Sequence, residues 1–240
     1  MEKRVLLKDI AAKVGVSIAL VSYVLNNKEG RVGRKMAEKI RKVAADMNYL
    51  PNLVAKSLQS GRTHTIGLLV ADISNAFFSR IARIIELEAE KSGYTVIFGS
   101  TDESADKSRL LIEAFLNRQV DGLIIAPVAA TSDQLLMLKK KKVPFVLIDR
   151  YFSALDVNSV RVNNYESAYN ATEYLIQTGR KRISLISYKD TGMSHFSERS
   201  AGYKAALKKY RRRANLISVP YRQMEKEMPA VLKQLIMKDA

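Results

Sequence analysis

KDIAAKVGVSIALVSYVLN, residues 8–26 of a 240-residue chain, reads as two short helices joined by a tight turn. Ile10, Ala11 and Val14 fall on one face of the first helix, while Asp9, Ala12 and Lys13 stay off it. Gly15 ends that helix, Val16 is expected to be buried in the turn, and Ser17 offers a hydroxyl to the free N–H groups of the next helix. In the second helix Val21, Val24 and Leu25 point back at the first. Ser17, Ile18, Ala19, Ser22, Tyr23 and Asn26 are left for the outside. Any small helical bundle can alternate in this way, but a face made of Ile18, Ala19 and Tyr23 is too apolar for ordinary solvation. It suits methyl contacts and hydrogen bonds at base edges in a major groove, so the stretch reads as a DNA-reading helix-turn-helix.

The charge around it agrees. The formal net charge is +16, and residues 1–63 carry an excess of eight positive charges, residues 64–155 none, and residues 156–240 another eight. The first excess coincides with the reading head, where phosphates would have to be neutralised. With 47% hydrophobic residues the chain can fill one small domain and one larger one. It contains no cysteine, which excludes a disulfide framework, and its two histidines, His64 and His195, are too few for a histidine metal site. No cofactor is expected. The apolar runs at 123–130 and 143–148 are too short to span a bilayer, and the N-terminus lacks the apolar core of a signal peptide. A protein that stays in the cytoplasm, with no membrane partner, is the expectation.

A third helix is expected over Arg34–Asn48, with Met36, Ile40, Val43, Ala44 and Met47 on its apolar face, completing a headpiece over residues 1–51. Asn52–Gln59 could make two helical turns but is too short to be stable alone, so it becomes a candidate for folding on contact with DNA and a second copy. Together with Ser60, Gly61 and Thr63 it forms a hinge and linker over residues 52–63. At Thr65 the period changes. TIGLLVADI, YTVIFGS, DGLIIAPV, VPFVLIDR and SVRVNN are short strand-like runs separated by amphipathic helices at 76–92, 105–118 and 132–142. That alternation predicts an α/β fold with a doubly wound parallel sheet over residues 64–163.

Ligands of such sheets sit beyond the carboxyl ends of the strands, which selects Asp72, Ser74, Asn75, Phe77, Phe78, Asp102, Pro127, Asp149 and Arg150. No glycine-rich phosphate loop follows the first strand, which argues against a dinucleotide enzyme. Residues 164–240 predict a helix at 165–178, a strand in RKRISLIS, a helix at 197–210, a doubtful strand at 216–219 and a last helix at 228–238. One clear strand and one doubtful one make a narrow sheet, so this second lobe reads as incomplete. The runs KKKK (139–142) and KKYRRR (208–213) each close a helix, where cations favour the dipole.

Taken together, KDIAAKVGVSIALVSYVLN, NYLPNLVAKSL and IGLLVADISNAFF resemble the LacI family of bacterial transcription regulators, from about Val5 to the end. The resemblance implies that the helix Ser17–Asn26 lies in the major groove with Ile18, Ala19 and Tyr23 reading bases. It also implies that Leu58, beside Lys56 and Ser57, enters the minor groove as the hinge helices of a dimer pair, bending the duplex. Leu20 departs from the family's usual threonine and removes one polar contact, and Gln59 stands where many relatives have a basic or small residue. The ligand domain is similar to periplasmic sugar-binding proteins through NAFF (75–78), IDR (148–150) and Arg199. By that likeness Phe77 and Phe78 offer apolar faces to a sugar ring, while Asn75, Asp149, Arg150 and Arg199 hydrogen-bond its hydroxyls. Phe77 could equally be core under its helix, and Asp149 with Arg150 could be a structural ion pair.

The function expected is therefore a sequence-specific transcription regulator of repressor type. It would bind a pseudo-palindromic operator as a homodimer and respond to a small effector of sugar type. The competing readings are a sugar-binding protein without DNA function, an enzyme on the same sheet, and a truncated regulator that binds DNA without ligand control.

Overall fold

Residues 5–26, 32–50, 61–189, 193–220 and 223–237 are described by the computed structural model. The chain divides into two compact units, Met1–Ser60 and Gly61–Ala240. In the first, helices α1 (Leu7–Val14), α2 (Ile18–Leu25) and α3 (Arg34–Asp46) close on one core of Ile10, Ala11, Val14, Val21, Val24, Ile40 and Ala44. Ile10, Val21 and Ile40 are wholly buried, each contributing about 1.5–3 kcal/mol of transfer free energy. Gly15 takes the left-handed conformation, φ 81°, and its N–H returns to the Ala11 carbonyl at 2.9 Å, ending α1 as the sequence requires. Val16, expected to be buried, is half-buried. Helix α3 stops two residues short of the expected Asn48, because Asn48 is itself left-handed (φ 51°) and turns the Tyr49 N–H back to the Ala44 carbonyl.

The second unit begins with strands β1 (Thr65–Val70), β2 (Thr95–Ser100), β3 (Gly122–Ile125), β4 (Phe145–Ile148) and β5 (Ser159–Val160), all parallel in the order β2-β1-β3-β4-β5. Successive residues point to opposite faces. Leu68, Val70 and Ile148 pack under α4 (Ala76–Lys91) with Phe78 and Ala82. Leu69, Leu123, Ile125 and Leu147 pack on the other face under α5 (Ala105–Asn117) and α6 (Ser132–Lys140), against Ile112, Phe115, Leu135 and Leu138. The doubly wound sheet is thus present, but the run SVRVNN yields only the two-residue β5. Beyond Val160 both Val162 and Arg161 are exposed, so that edge has no second face to bury.

Past β5 come α7 (Asn164–Gln177), β6 (Ser184–Tyr188), α8 (Ser194–Lys209), β7 (Asn215–Val219) and α9 (Met224–Met237). Strands β6 and β7 form a two-stranded parallel sheet, so the doubtful strand is real and the narrow sheet is as expected. Helix α8 crosses α7 closely: a Cβ on Gly202 would lie 2.1 Å from the Tyr165 carbonyl oxygen, so only glycine fits there. Helix α8 starts three residues before the expected Ser197, whose hydroxyl donates to the Ser194 carbonyl at 2.8 Å. Helix α9 starts before the expected Met228 and holds Pro229 inside it, at the cost of one backbone hydrogen bond. The cationic run 208–213 ends α8 as expected, with Lys209 and Tyr210 both on Glu173 of α7, at 2.8 and 3.0 Å.

Where the chain enters the first strand it is clamped. Asp121, just ahead of β3, accepts the Thr63 and His64 N–H groups at 2.8 and 3.0 Å. Partial burial raises the Asp121 carboxyl, but the Thr63 and His64 bonds outweigh it and hold the group below the usual carboxylate range. No helix among the described residues is long and apolar enough to cross a membrane.

Candidate functional site

Two sets of residues come together, one in each unit. On α2 the Ser17 hydroxyl accepts the Leu20 N–H at 3.2 Å, capping the helix, and Ser17, Ile18, Ala19 and Asn26 are exposed. Ile18 keeps 52% of its surface accessible. Ser22 and Tyr23 are half-buried at the margin of this face, and the Asn26 amide donates to the Ser22 hydroxyl at 3.2 Å. Leu20 packs against the headpiece core, which is what an aliphatic residue in place of a hydroxyl does there. Lys56, Ser57 and Leu58, and the rest of the expected hinge helix, lie outside the described residues. Ser17→Ala is expected to destabilise the headpiece by about 1 kcal/mol, read as faster amide exchange along α2.

The second set lies past the carboxyl ends of β1, β2 and β4 and is met by α7 and α8. Asp149 and Arg150 follow β4, with Asp149 in the left-handed region at φ 61°. Asp102 and Glu103 follow β2, left-handed in succession at φ 51° and 54°, which a non-glycine residue adopts only at some cost. The Glu103 N–H is held by the Ala71 carbonyl at 3.1 Å, at the end of β1. From there its carboxylate takes both ends of the Arg150 guanidinium, at 2.7 and 2.8 Å. The Arg150 Nε lies 3.7 Å from Asp149, beyond hydrogen-bond reach. Arg150 therefore pairs with both carboxylates: with Glu103 through two hydrogen bonds, and with Asp149 as the ion pair the sequence allowed, through charge alone. Burial raises the Asp149 carboxyl above its usual value, against the lowering pull of Arg150 and Arg199.

Phe78, expected to offer a face to a ligand, is instead core: it is 2% exposed, with the Arg150 guanidinium 5.3 Å from its ring centre. Its neighbour Phe77, for which a core position was the alternative, is 47% exposed. The difference is one helical step, since α4 turns Phe78 onto the sheet and Phe77 off it. Asn75 caps α4, its side-chain oxygen accepting the Phe77 N–H at 3.0 Å. Asp72 accepts both the N–H and the hydroxyl of Ser74, at 2.9 and 2.6 Å, so it shapes the turn into α4. Arg199 of α8 donates from Nε to the buried Asn164 at 2.8 Å.

Two further residues join these. His195, in the first turn of α8, is 2% exposed. Burial, with Arg150 and then Arg199 nearby, pulls its imidazole down to about 3, so the ring is neutral at pH 7. Tyr151 ties the sheet side to α8: its hydroxyl donates to Glu198, its carbonyl accepts the Ser194 hydroxyl at 3.0 Å, and Arg161 covers its ring at 3.8 Å. Glu103, Asn164 and His195 were not foreseen. The strand-end rule that selected Asp102 reaches Glu103 one residue later, whereas nothing local in TGMSHFSER marks His195.

Two family descriptions match the chain: "Bacterial regulatory proteins, lacI family" over residues 6–52, and "Periplasmic binding proteins and sugar binding domain of LacI family" over residues 63–234. The chain belongs to the LacI family. Among its relatives, a probable helix-turn-helix transcriptional regulator, EndR, of Paenibacillus polymyxa is 31% identical over 95% of this chain and 68% of the relative. Catabolite control protein A of Priestia megaterium is 34% identical over 83% of this chain and 60% of the relative. The LacI-family chain described here thus spans 60 to 68% of the length of these curated relatives. Among solved structures, a ribose operon repressor of Burkholderia thailandensis, so described provisionally, has a TM-score of 0.61 at 32% identity, covering 65% of this chain and 61% of that one. The Lac repressor dimer, solved bound to operator and an anti-inducer, has a TM-score of 0.80 at 23% identity, covering 97% of this chain and 71% of that one; it shares the fold.

Proposed function

We propose that the protein is a cytoplasmic, sequence-specific transcription regulator of repressor type. It binds a pseudo-palindromic operator as a homodimer, and a small effector of sugar type in the cleft around Asp149 and Arg199 sets its affinity for DNA. The observation that carries this reading is the capped α2 with Ile18 and Ala19 exposed, in a segment with eight excess positive charges. An exposed isoleucine is poorly solvated by itself but matches a thymine methyl. The role is binding and not catalysis. Ser17, Ile18, Ala19, Ser22, Tyr23 and Asn26 face the major groove, and Lys56, Ser57 and Leu58 the central minor groove. Asp72, Asn75 and Phe77 border the cleft from the sheet side, while Phe78 supports Arg150 from below.

Selection from a random duplex library, followed by salt titration on the selected site, tests the reading. A two-fold-symmetric site is expected, with affinity falling about a thousandfold or more between roughly 50 and 200 mM salt as bound counterions are released. Leu58→Ala should weaken the selected site far more than random DNA. A shallow salt slope without a symmetric preference would sink the proposal.

A further inference from the structure

Most of the positive charge in the C-terminal part of the chain lies outside the cleft. Residues 174–189 and 199–224 contain four and eight lysines and arginines, and neither stretch holds an aspartate or glutamate. Much of that charge gathers where β6 and β7 begin: Arg180, Lys181 and Arg182 lead into β6, and the run 208–213 leads from α8 toward β7. The other end of β6 runs on to His195, which feels the charge of Arg150, so the amino end points away from the cleft. Helices α7 and α8 also finish here, at Gln177 and Lys209. Each helix end carries about half a negative charge, and Glu173 takes Lys209. About two negative charges thus stand against the eight cations of 180–182 and 208–213, so the helix dipoles account for only part of the cluster. At the two strand ends a cavity of about 710 Å³ opens, within the roughly 300–1,000 Å³ of small-molecule sites. Lys181, Arg182, Arg212 and Arg213 line it together with Ile183, Leu207 and Leu235, and no carboxylate does so among the described residues. The Arg212 guanidinium donates to the Arg180 carbonyl, which fixes it at the wall. Ile183 and Leu207 belong to the apolar core between α7 and α8, so the floor is built and not merely open surface.

We propose that this cavity is a second ligand site, for a small organic anion with two or more phosphate charges on an apolar or aromatic body, the class of nucleoside di- and triphosphates. Lys181 and Arg213, exposed at the mouth, take the phosphate oxygens, with Arg212 behind them; guanidinium groups suit phosphate because they donate in pairs. The body of the ligand lies on Ile183, Leu207 and Leu235. An open cationic face would suit a nucleic-acid backbone, whereas a concave one with an apolar floor holds a compact ligand. A neutral sugar would leave the cations unmatched. The site is separate from the cleft and does not depend on what binds there.

The test is calorimetry on the whole 240-residue chain with ATP, ADP, AMP, adenosine and inorganic tripolyphosphate, in magnesium-free buffer at about 150 mM salt, where distant surface charge is screened. ATP should bind one to one, AMP at least about tenfold more weakly for want of phosphate charge, and adenosine not measurably. Tripolyphosphate should bind about tenfold more weakly than ATP, because it leaves the apolar floor uncovered. The double variant Lys181→Gln, Arg213→Gln removes charge at exposed positions and should lose at least about tenfold for ATP. Leu235→Glu brings a carboxylate into the cavity and should abolish binding. Circular dichroism checks that each variant folds, and the exposed pair keeps the test decisive if Leu235→Glu does not. No binding of ATP or ADP overturns the proposal. So does equal affinity for ATP and tripolyphosphate, which would mean a cationic patch without a site, or equal affinity of wild type and the folded double variant, which would place the nucleotide elsewhere. Displacement of ATP by a short random DNA duplex, lost in the double variant, would assign the patch to nucleic acid and overturn it too.

Discussion

Glu103→Ala is expected to destabilise residues 61–240 by about 3–5 kcal/mol at pH 7, measured by urea unfolding. The Arg150 side chain is only 9% accessible, and both ends of its guanidinium rest on Glu103. Without that carboxylate the nearest anion is Asp149, at 3.7 Å and without a hydrogen bond. The loss comes from stranding a charge and not from the attraction forgone. The double variant Glu103→Leu, Arg150→Met should therefore recover most of it, because removing both partners leaves no buried ion. A Glu103→Ala loss below about 1 kcal/mol would mean that Arg150 reaches water on its own.

The second large effect is an acid sensitivity. The folded protein holds His195 unprotonated down to about 3, while the unfolded chain takes up that proton at the ordinary value of 6.5. The unfolded state binds more protons between those limits, so stability falls as pH drops below about 6.5 and the loss is complete below about 3. At 1.36 kcal/mol per pH unit this amounts to at most about 5 kcal/mol. The charged groups acting on His195 are Arg150 and Arg199, with the Phe196 ring at 3.8 Å. Asp149 works in the opposite direction: its raised carboxyl is protonated earlier in the folded state, so falling pH favours folding through that group. The informative quantity is therefore the stability difference between wild type and His195→Leu as a function of pH. It should shrink steadily in favour of the variant from pH 6.5 downward. A flat difference would show that the wild-type ring gains its proton without unfolding.

What could be read directly from the chain is what depends on local period. Ile10, Ala11 and Val14 repeat at helical spacing, and Ser17 is a capping residue at a helix start; each sits where its pattern put it. Phe77 and Phe78 show the limit. The pair was visible as a motif, but which ring is buried depends on the azimuth of α4 over the sheet, which adjacent aromatics do not encode. Glu103 with Arg150 and Arg199 with Asn164 lie 47 and 35 positions apart. Such pairs follow from strand order and from the crossing into α7, and no spacing rule reaches them. His195 was hidden for a simpler reason: the sequence reading starts α8 at residue 197, past the histidine that the first turn buries.

The clamp at Asp121 fixes how the chain enters the sheet. Thr63 and His64 are pinned at 2.8 and 3.0 Å to a residue at the mouth of β3, and Gly61, two residues earlier, sits at φ 68°, which a side chain would resist. One carboxylate at the start of β3 therefore sets where the chain enters β1, through a tie that spans 58 positions of sequence.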